Sequence, residues 1–140
     1  MPDSSPNLAN TLTARVKDTL AAMSSGQLVK LENLFAKDLV YHLTGQHQFS
    51  GKYEGSQSVL DLLAGLRSSF RTGIHYSVSR LIAVNNTVVA TFTGTGTTVT
   101  GNEYRNEYCA IWDFNDDQQV SHITEYFDSD HVAKVLSQQH

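Results

Sequence analysis

Apolar residues recur near the start of the chain at Leu8, Leu12, Val16, Leu20 and Met23, a spacing that lines one side of a helix. Ser24-Ser25-Gly26 ends that helix, with Gly26 suited to the left-handed position that follows one. A second, short helix carries Leu28, Leu31, Leu34 and Phe35. A third starts at about Ser56, read as its N-cap, and runs through Val59, Leu62, Leu63, Leu66 and Phe70. After Gly73 the period changes from helical to alternating. Residues 74–84, 87–96, 104–114 and 120–127 are rich in Val, Ile, Thr and aromatics, and turn signals separate them at Asn85-Asn86, Thr100-Gly101-Asn102 and Asn115-Asp116-Asp117. Connections this short join antiparallel neighbours. Residues 39–44 read as a further strand between the second and third helices, and 130–136 as a closing turn of helix. Residues 1–7 contain both prolines and are expected to be a disordered leader; 8–140 form a single domain.

This order of elements predicts an α+β fold. A twisted, mostly antiparallel sheet with three helices on one face curls around them. The space between the layers becomes a central pocket, and the other sheet face needs a cover of its own.

Composition narrows the function. At 140 residues the chain can bury one sizeable core but not two. Ten Lys and Arg against fourteen Asp and Glu leave a formal charge of −4, which argues against nucleic acid or an anionic membrane as partner. The chain has no apolar run near the ~18–20 residues of a membrane span and no apolar core of a signal peptide, so a cytoplasmic protein is expected. A single cysteine, Cys109, excludes an internal disulfide framework.

Six histidines invite a metal reading, but their spacing does not support one. His42 and His47 flank a loop, His75 and His122 sit on separate strands, and His131 and His140 are terminal. No metal and no cofactor is expected. Gly94 and Gly96, set among threonines, lack the Lys and the following helix of a phosphate loop and read as a bend in a curved sheet.

Alternation divides the last two strands into faces without saying which one is interior. Glu107, Cys109 and Ile111 share one face, and Asn106, Tyr108, Ala110 and Trp112 the other. On the final strand Ile123, Glu125 and Phe127 oppose His122, Thr124 and Tyr126.

Two stretches carry a family resemblance. The run LFAKDLVYHL (residues 34–43) followed by SGKYEGSQSVLDLLAGL, together with TGNEYRNEYCAIWDF and VSHITEYFDSDHV, resembles SnoaL-like proteins. These belong to the nuclear-transport-factor-2-like superfamily, alongside ketosteroid isomerase, limonene epoxide hydrolase and polyketide cyclases. The resemblance covers about Leu8 to Leu136. It implies a cystatin-like cone around a deep apolar cavity, dimerising through the outer sheet face. Similarity to limonene epoxide hydrolase implies that Glu107, Cys109, Ile123, Glu125 and Phe127 are pocket positions. Glu125 falls at a catalytic aspartate, Tyr41 at a water-binding tyrosine and Leu43 at a water-binding asparagine. The hydrolase's remaining arginine and aspartate fall on Thr91 and Thr93, so its catalytic set is absent. The base aspartate of ketosteroid isomerase falls near Leu43 and its oxyanion-hole aspartate near Ala110 or Cys109, so that set is absent too.

On this reading Glu125, Glu107 and Tyr41 are the candidate catalytic residues. A three-residue loop at Asn115–Asp117 would set the two glutamates opposite each other, giving one of them a raised pKa and the pair an acid and a base. Leu43, Thr91, Thr93, Cys109, Ile123 and Phe127 complete the expected pocket; His42 points away from it on a regular strand and joins it as a candidate if a bulge turns the strand. Tyr108, Trp112, Thr124 and Tyr126 form an expected homodimer face. Three functions fit: an enzyme acting without a cofactor on a small hydrophobic substrate such as a polyketide-like or terpenoid ring system, a non-catalytic binder of an apolar metabolite, and a dimeric protein-interaction module.

Overall fold

The computed structural model describes residues 6–137, and its first element, helix α1 (Pro6–Ser25), buries the stripe Leu8, Leu12, Val16 and Leu20. The helix begins two residues earlier than the apolar spacing indicates, because the first turn of a helix tolerates proline. Pro6 and Asn7 therefore belong to it; the rest of the expected leader, residues 1–5, and His140 lie outside the described residues. After a 3-10 turn (Leu28–Lys30) and one turn of α2 (Leu31–Leu34), strand β1 (Phe35–Leu43) starts at Phe35, a residue the helical spacing assigns to the helix before it. Then come β2 (Gly51–Glu54), α3 (Ser56–Ser68), β3 (His75–Val84), β4 (Thr87–Thr97), β5 (Glu103–Phe114), β6 (Val120–Tyr126) and α4 (Ser129–Ser137). The α3 N-cap is Gly55 at φ +91°, not Ser56.

The six strands form one sheet in the order β2-β1-β6-β5-β4-β3. From β3 to β6 it is the antiparallel meander that the short turns require. The end strand β6 then lies parallel to β1, which closes a long-range link between the two halves of the chain. Along β5 burial alternates strictly: Tyr104, Asn106, Tyr108, Ala110, Trp112 and Phe114 are buried, while Glu103, Arg105, Glu107 and Cys109 are exposed. The inner face of the sheet meets Leu12, Val16 and Leu20 of α1 and Val59 and Leu63 of α3 in a single core that also holds Phe35, Leu39, Phe92 and Trp112.

Among the described residues no helix is long and apolar enough to cross a membrane.

Candidate functional site

The site begins with the parallel pairing of β1 and β6. Tyr41 lies opposite Ile123 and Leu43 opposite Glu125, so the side chains of all four share the inner face. Same-face residues along a strand are ~7 Å apart, a distance that a tyrosine spans. The Tyr41 hydroxyl donates to Glu125 Oε2 at 2.5 Å. Thr44 fixes the same corner, its N–H and its hydroxyl both donating to the Glu125 backbone carbonyl at 3.3 and 2.7 Å. On the other side Ala110 of β5 stands opposite Glu125, and its small side chain leaves the carboxyl room.

Aromatic rings make the wall. A Cβ on Gly94 would lie 2.9 Å from Tyr108 Cε2 and 3.1 Å from Tyr76 Cε1, so both tyrosines cross β4 where it has no side chain. Gly96 does the same for Phe70, whose Cδ1 would be 2.9 Å from an added Cβ. The two glycines thus serve ring packing, a more specific role than a bend. Asn106, buried on β5, clamps the chain where β6 turns into α4. Its Nδ2 donates to the Asp128 carbonyl at 2.9 Å and its Oδ1 accepts from the Asp128 N–H at 3.0 Å. That clamp sets Val132 and Leu136 of α4 over the tyrosines, while Leu62, Leu63 and Leu66 of α3 approach from the side.

The cavity measures about 40 Å3. Besides these helical residues, its wall consists of Tyr41, Leu43, Tyr76, Tyr104, Tyr108 and Glu125 from the sheet, and His47, Phe49, Phe70, Ile74 and Phe127 from connecting segments. A volume of this size holds a few water molecules or a molecule of a handful of heavy atoms. It is far below the ~300–1,000 Å3 of sites for drug-sized ligands, so a polyketide-like ring system does not fit it.

Glu125 is 7% exposed, and burial pushes its carboxyl from the ordinary 4.5 up to about 7, with the Tyr41 hydrogen bond pulling the other way. The tyrosines go up as well. Burial first, and then the nearby negative charge of Glu125, hold Tyr41 and Tyr76 well above the ordinary 10. Tyr108 is held up by burial, by its tyrosine neighbours and by Glu125, and burial takes Tyr104 to about 12. The Tyr104 and Tyr108 hydroxyls share a hydrogen bond. All four phenols therefore stay neutral donors at physiological pH. Burial lowers His47, whose Nδ1 accepts from the Phe49 N–H at 3.1 Å. Glu125 is left as the wall residue poised to exchange a proton near neutrality. Replacing Tyr41 by Phe is expected to move the Glu125 titration midpoint upward by about one pH unit, read from its carboxyl carbon by NMR, because a charge-stabilising donor is lost.

Residues 16–122 of this chain match the family described as SnoaL-like domain. The chain belongs to that family. Solved structures share the fold. An NTF2-like protein from Anabaena variabilis is 23% identical, with 94% of this chain and 96% of that one covered and a TM-score of 0.77. A protein of unknown function with a cystatin-like fold from Xanthomonas campestris is 18% identical, with 89% and 95% covered and a TM-score of 0.76. A protein with a ketosteroid isomerase-like fold from Catenulispora acidiphila, solved in complex with trimethylamine, is 14% identical, with 88% and 92% covered and a TM-score of 0.75. No curated protein matches the chain by sequence.

Of the residues singled out in sequence, this SnoaL-like domain brings Tyr41, Leu43, Glu125 and Phe127 to the cavity. Ile123 is buried on the same face but outside the cavity wall. Glu107 is not a partner of Glu125. The β5–β6 connection spans residues 115–119, longer than three residues, and a bulge follows Asp113, so Ala110 instead of Glu107 stands opposite Glu125. A slip of three positions is odd and reverses the face. Glu107 and Cys109 consequently point outward, both exposed, and Thr91 and Thr93, their partners on β4, go with them. Together with Ser79 and Tyr126 these four line a shallow groove on the outside of the sheet. His42, next to Tyr41 on β1, faces outward opposite Thr124.

The same slip moves the expected dimer face. Tyr108 and Trp112 are interior, at 6% and 1% exposure, while Thr124 and Tyr126 remain outside. Tyr76, Tyr104 and His47 line the cavity without having been singled out. The signal for Tyr104 and Tyr108 was present in the alternating charges Glu103, Arg105 and Glu107, which mark the odd positions of β5 as the wet face. Among the described residues no group of three or more His, Cys, Asp or Glu is placed to hold a metal ion.

Proposed function

We propose that this SnoaL-like domain is a cytoplasmic, cofactor-independent enzyme that moves a proton on a small, largely apolar molecule held in the Glu125 cavity. The chemistry is of the isomerase, cyclase or hydrolase type. The observation that carries this reading is a buried carboxyl at about 7, hydrogen-bonded to Tyr41 and walled by neutral phenols. At pH 7 such a group holds a proton in roughly half of the molecules, so one side chain can accept a proton and later return it. The phenols are donors for an oxygen that becomes negative during the transfer. Burying Glu125 brings no benefit to a simple container for apolar ligands, which favours the catalytic reading. The trimethylamine complex of the Catenulispora protein supports a small-molecule role for this fold.

The test is turnover of candidate substrates by Glu125→Gln against wild type. Loss of activity in that variant, with Glu107→Gln fully active, supports the assignment; an active Glu125→Gln enzyme overturns it.

We also read the outer face around Tyr126, which is 50% exposed beside Thr124, as a homodimer surface. Wild type is expected to sediment as a dimer and Tyr126→Glu as a monomer in analytical ultracentrifugation.

A further inference from the structure

The cavity wall carries one formally charged side chain, Glu125, and among the described residues no Lys or Arg lines it. Once ionised, that carboxylate has the Tyr41 hydroxyl as a hydrogen-bond donor but no Lys or Arg among the described wall residues to balance it. Its charge reaches Tyr41, Tyr76, Tyr104 and Tyr108, the phenols that stand around it. An anionic ligand would be repelled from such a place, and a neutral apolar ligand would leave the carboxylate dry and unpaired. A cation clothed in methyl or methylene groups meets both demands, since its charge pairs with the carboxylate and its C–H surface lies against aromatic rings. The volume of about 40 Å3 restricts that cation to a handful of heavy atoms.

We propose that the ligand of this cavity is a small alkylammonium cation, held by the Glu125 carboxylate and the surrounding rings of Tyr41, Tyr76, Tyr104, Tyr108 and Phe70. The proposal rests on reading the cavity as a ligand site and adds the charge and size of the ligand.

The test is calorimetric titration of the full chain with methylammonium, which stays charged throughout pH 6–8, and with methanol, a neutral molecule of similar size. At pH 8 the cation is expected to bind ~10-fold tighter than the alcohol or better. At pH 6 its affinity should fall roughly tenfold, following the ionised fraction of a carboxyl at about 7. The other groups facing Glu125 do not produce that change. The tyrosines of β1, β3 and β5 titrate well above this range, His47 from the β1–β2 segment is pushed below its ordinary 6.5, and α3 and α4 present leucines and a valine. Glu125→Gln should bind the two probes alike at both pH values. The wild-type comparison stands without that variant should it fail to fold. Equal, pH-independent binding of both probes to wild type overturns the cation proposal and leaves the cavity a ligand site. Binding of neither probe overturns the ligand-site reading and the proposal with it.

Discussion

Glu125→Gln is expected to stabilise the protein at pH 8 by about 3 kcal/mol, the free energy that corresponds to holding a carboxyl at about 7 instead of 4.5. The sign follows from linkage. The folded chain binds the Glu125 proton more tightly than the unfolded chain, so the stability that this proton gives the wild type is complete below pH 4.5 and is lost as pH rises through about 7, which is where the variant pulls ahead. A neutral amide keeps an acceptor for the Tyr41 hydroxyl and never has to ionise in a dry site. The variant should therefore match wild type near pH 4 and exceed it at pH 8, by roughly 10 °C in Tm. Calorimetric melts of both proteins across that range measure the difference. An equal stability gap at both ends would mean that Glu125 ionises freely in the folded state.

The same substitution should lower kcat/KM on the true substrate by ~100-fold or more, the usual contribution of a positioned acid or base. Opposite changes in stability and activity are what a functional carboxylate produces, because a site kept out of water for its chemistry destabilises the fold that holds it. A merely structural Glu125 would show the reverse, with Gln costing stability and sparing turnover. Tyr41 bears on this balance. Its hydroxyl draws the Glu125 pKa downward, so it keeps the carboxyl within reach of neutral pH.

Much of this arrangement was legible along the chain, and the exceptions have physical causes. Helices α1 and α3 and strands β3 to β6 are long and strongly periodic, and their hydrophobic spacing locates them to within a few residues. Strand β2 gave no such signal. It is four residues long, mostly exposed, and opens on a glycine. Its pairing with β1, like the parallel pairing of β1 with β6, joins segments that no local pattern connects. The resemblance to limonene epoxide hydrolase points to Tyr41, Leu43 and Glu125, and the parallel pairing puts all three on a single face. Glu107 and Cys109 were misplaced by the β5–β6 connection, whose length sets the register of every residue after it. A resemblance of site positions pointed one way and the alternating charges of β5 the other. The charges were the sounder guide, since taking the ionised Glu103, Arg105 and Glu107 into an apolar interior costs far more than leaving them in water.

Trp112→Ala puts that register to the test and should cost about 3–5 kcal/mol, a large share of the ~5–15 kcal/mol that holds a typical domain together. Trp112 is 1% exposed and lies on the inner face between Val88 of β4 and Ile123 of β6, both of them buried. Truncation would open a void among residues that β strands hold in place, so little collapse can offset it. The indole Nε1 has no hydrogen-bond partner among the described residues, so its removal leaves no acceptor stranded there and the loss is one of packing. On the alternative register, with Trp112 on an outer dimer face, the same change would weaken association and spare the monomer. Urea unfolding followed by circular dichroism separates the two at protein concentrations spanning a hundredfold. Large destabilisation independent of concentration places the indole in the core, whereas a midpoint that tracks concentration, with monomer stability preserved, would put β5 the other way round.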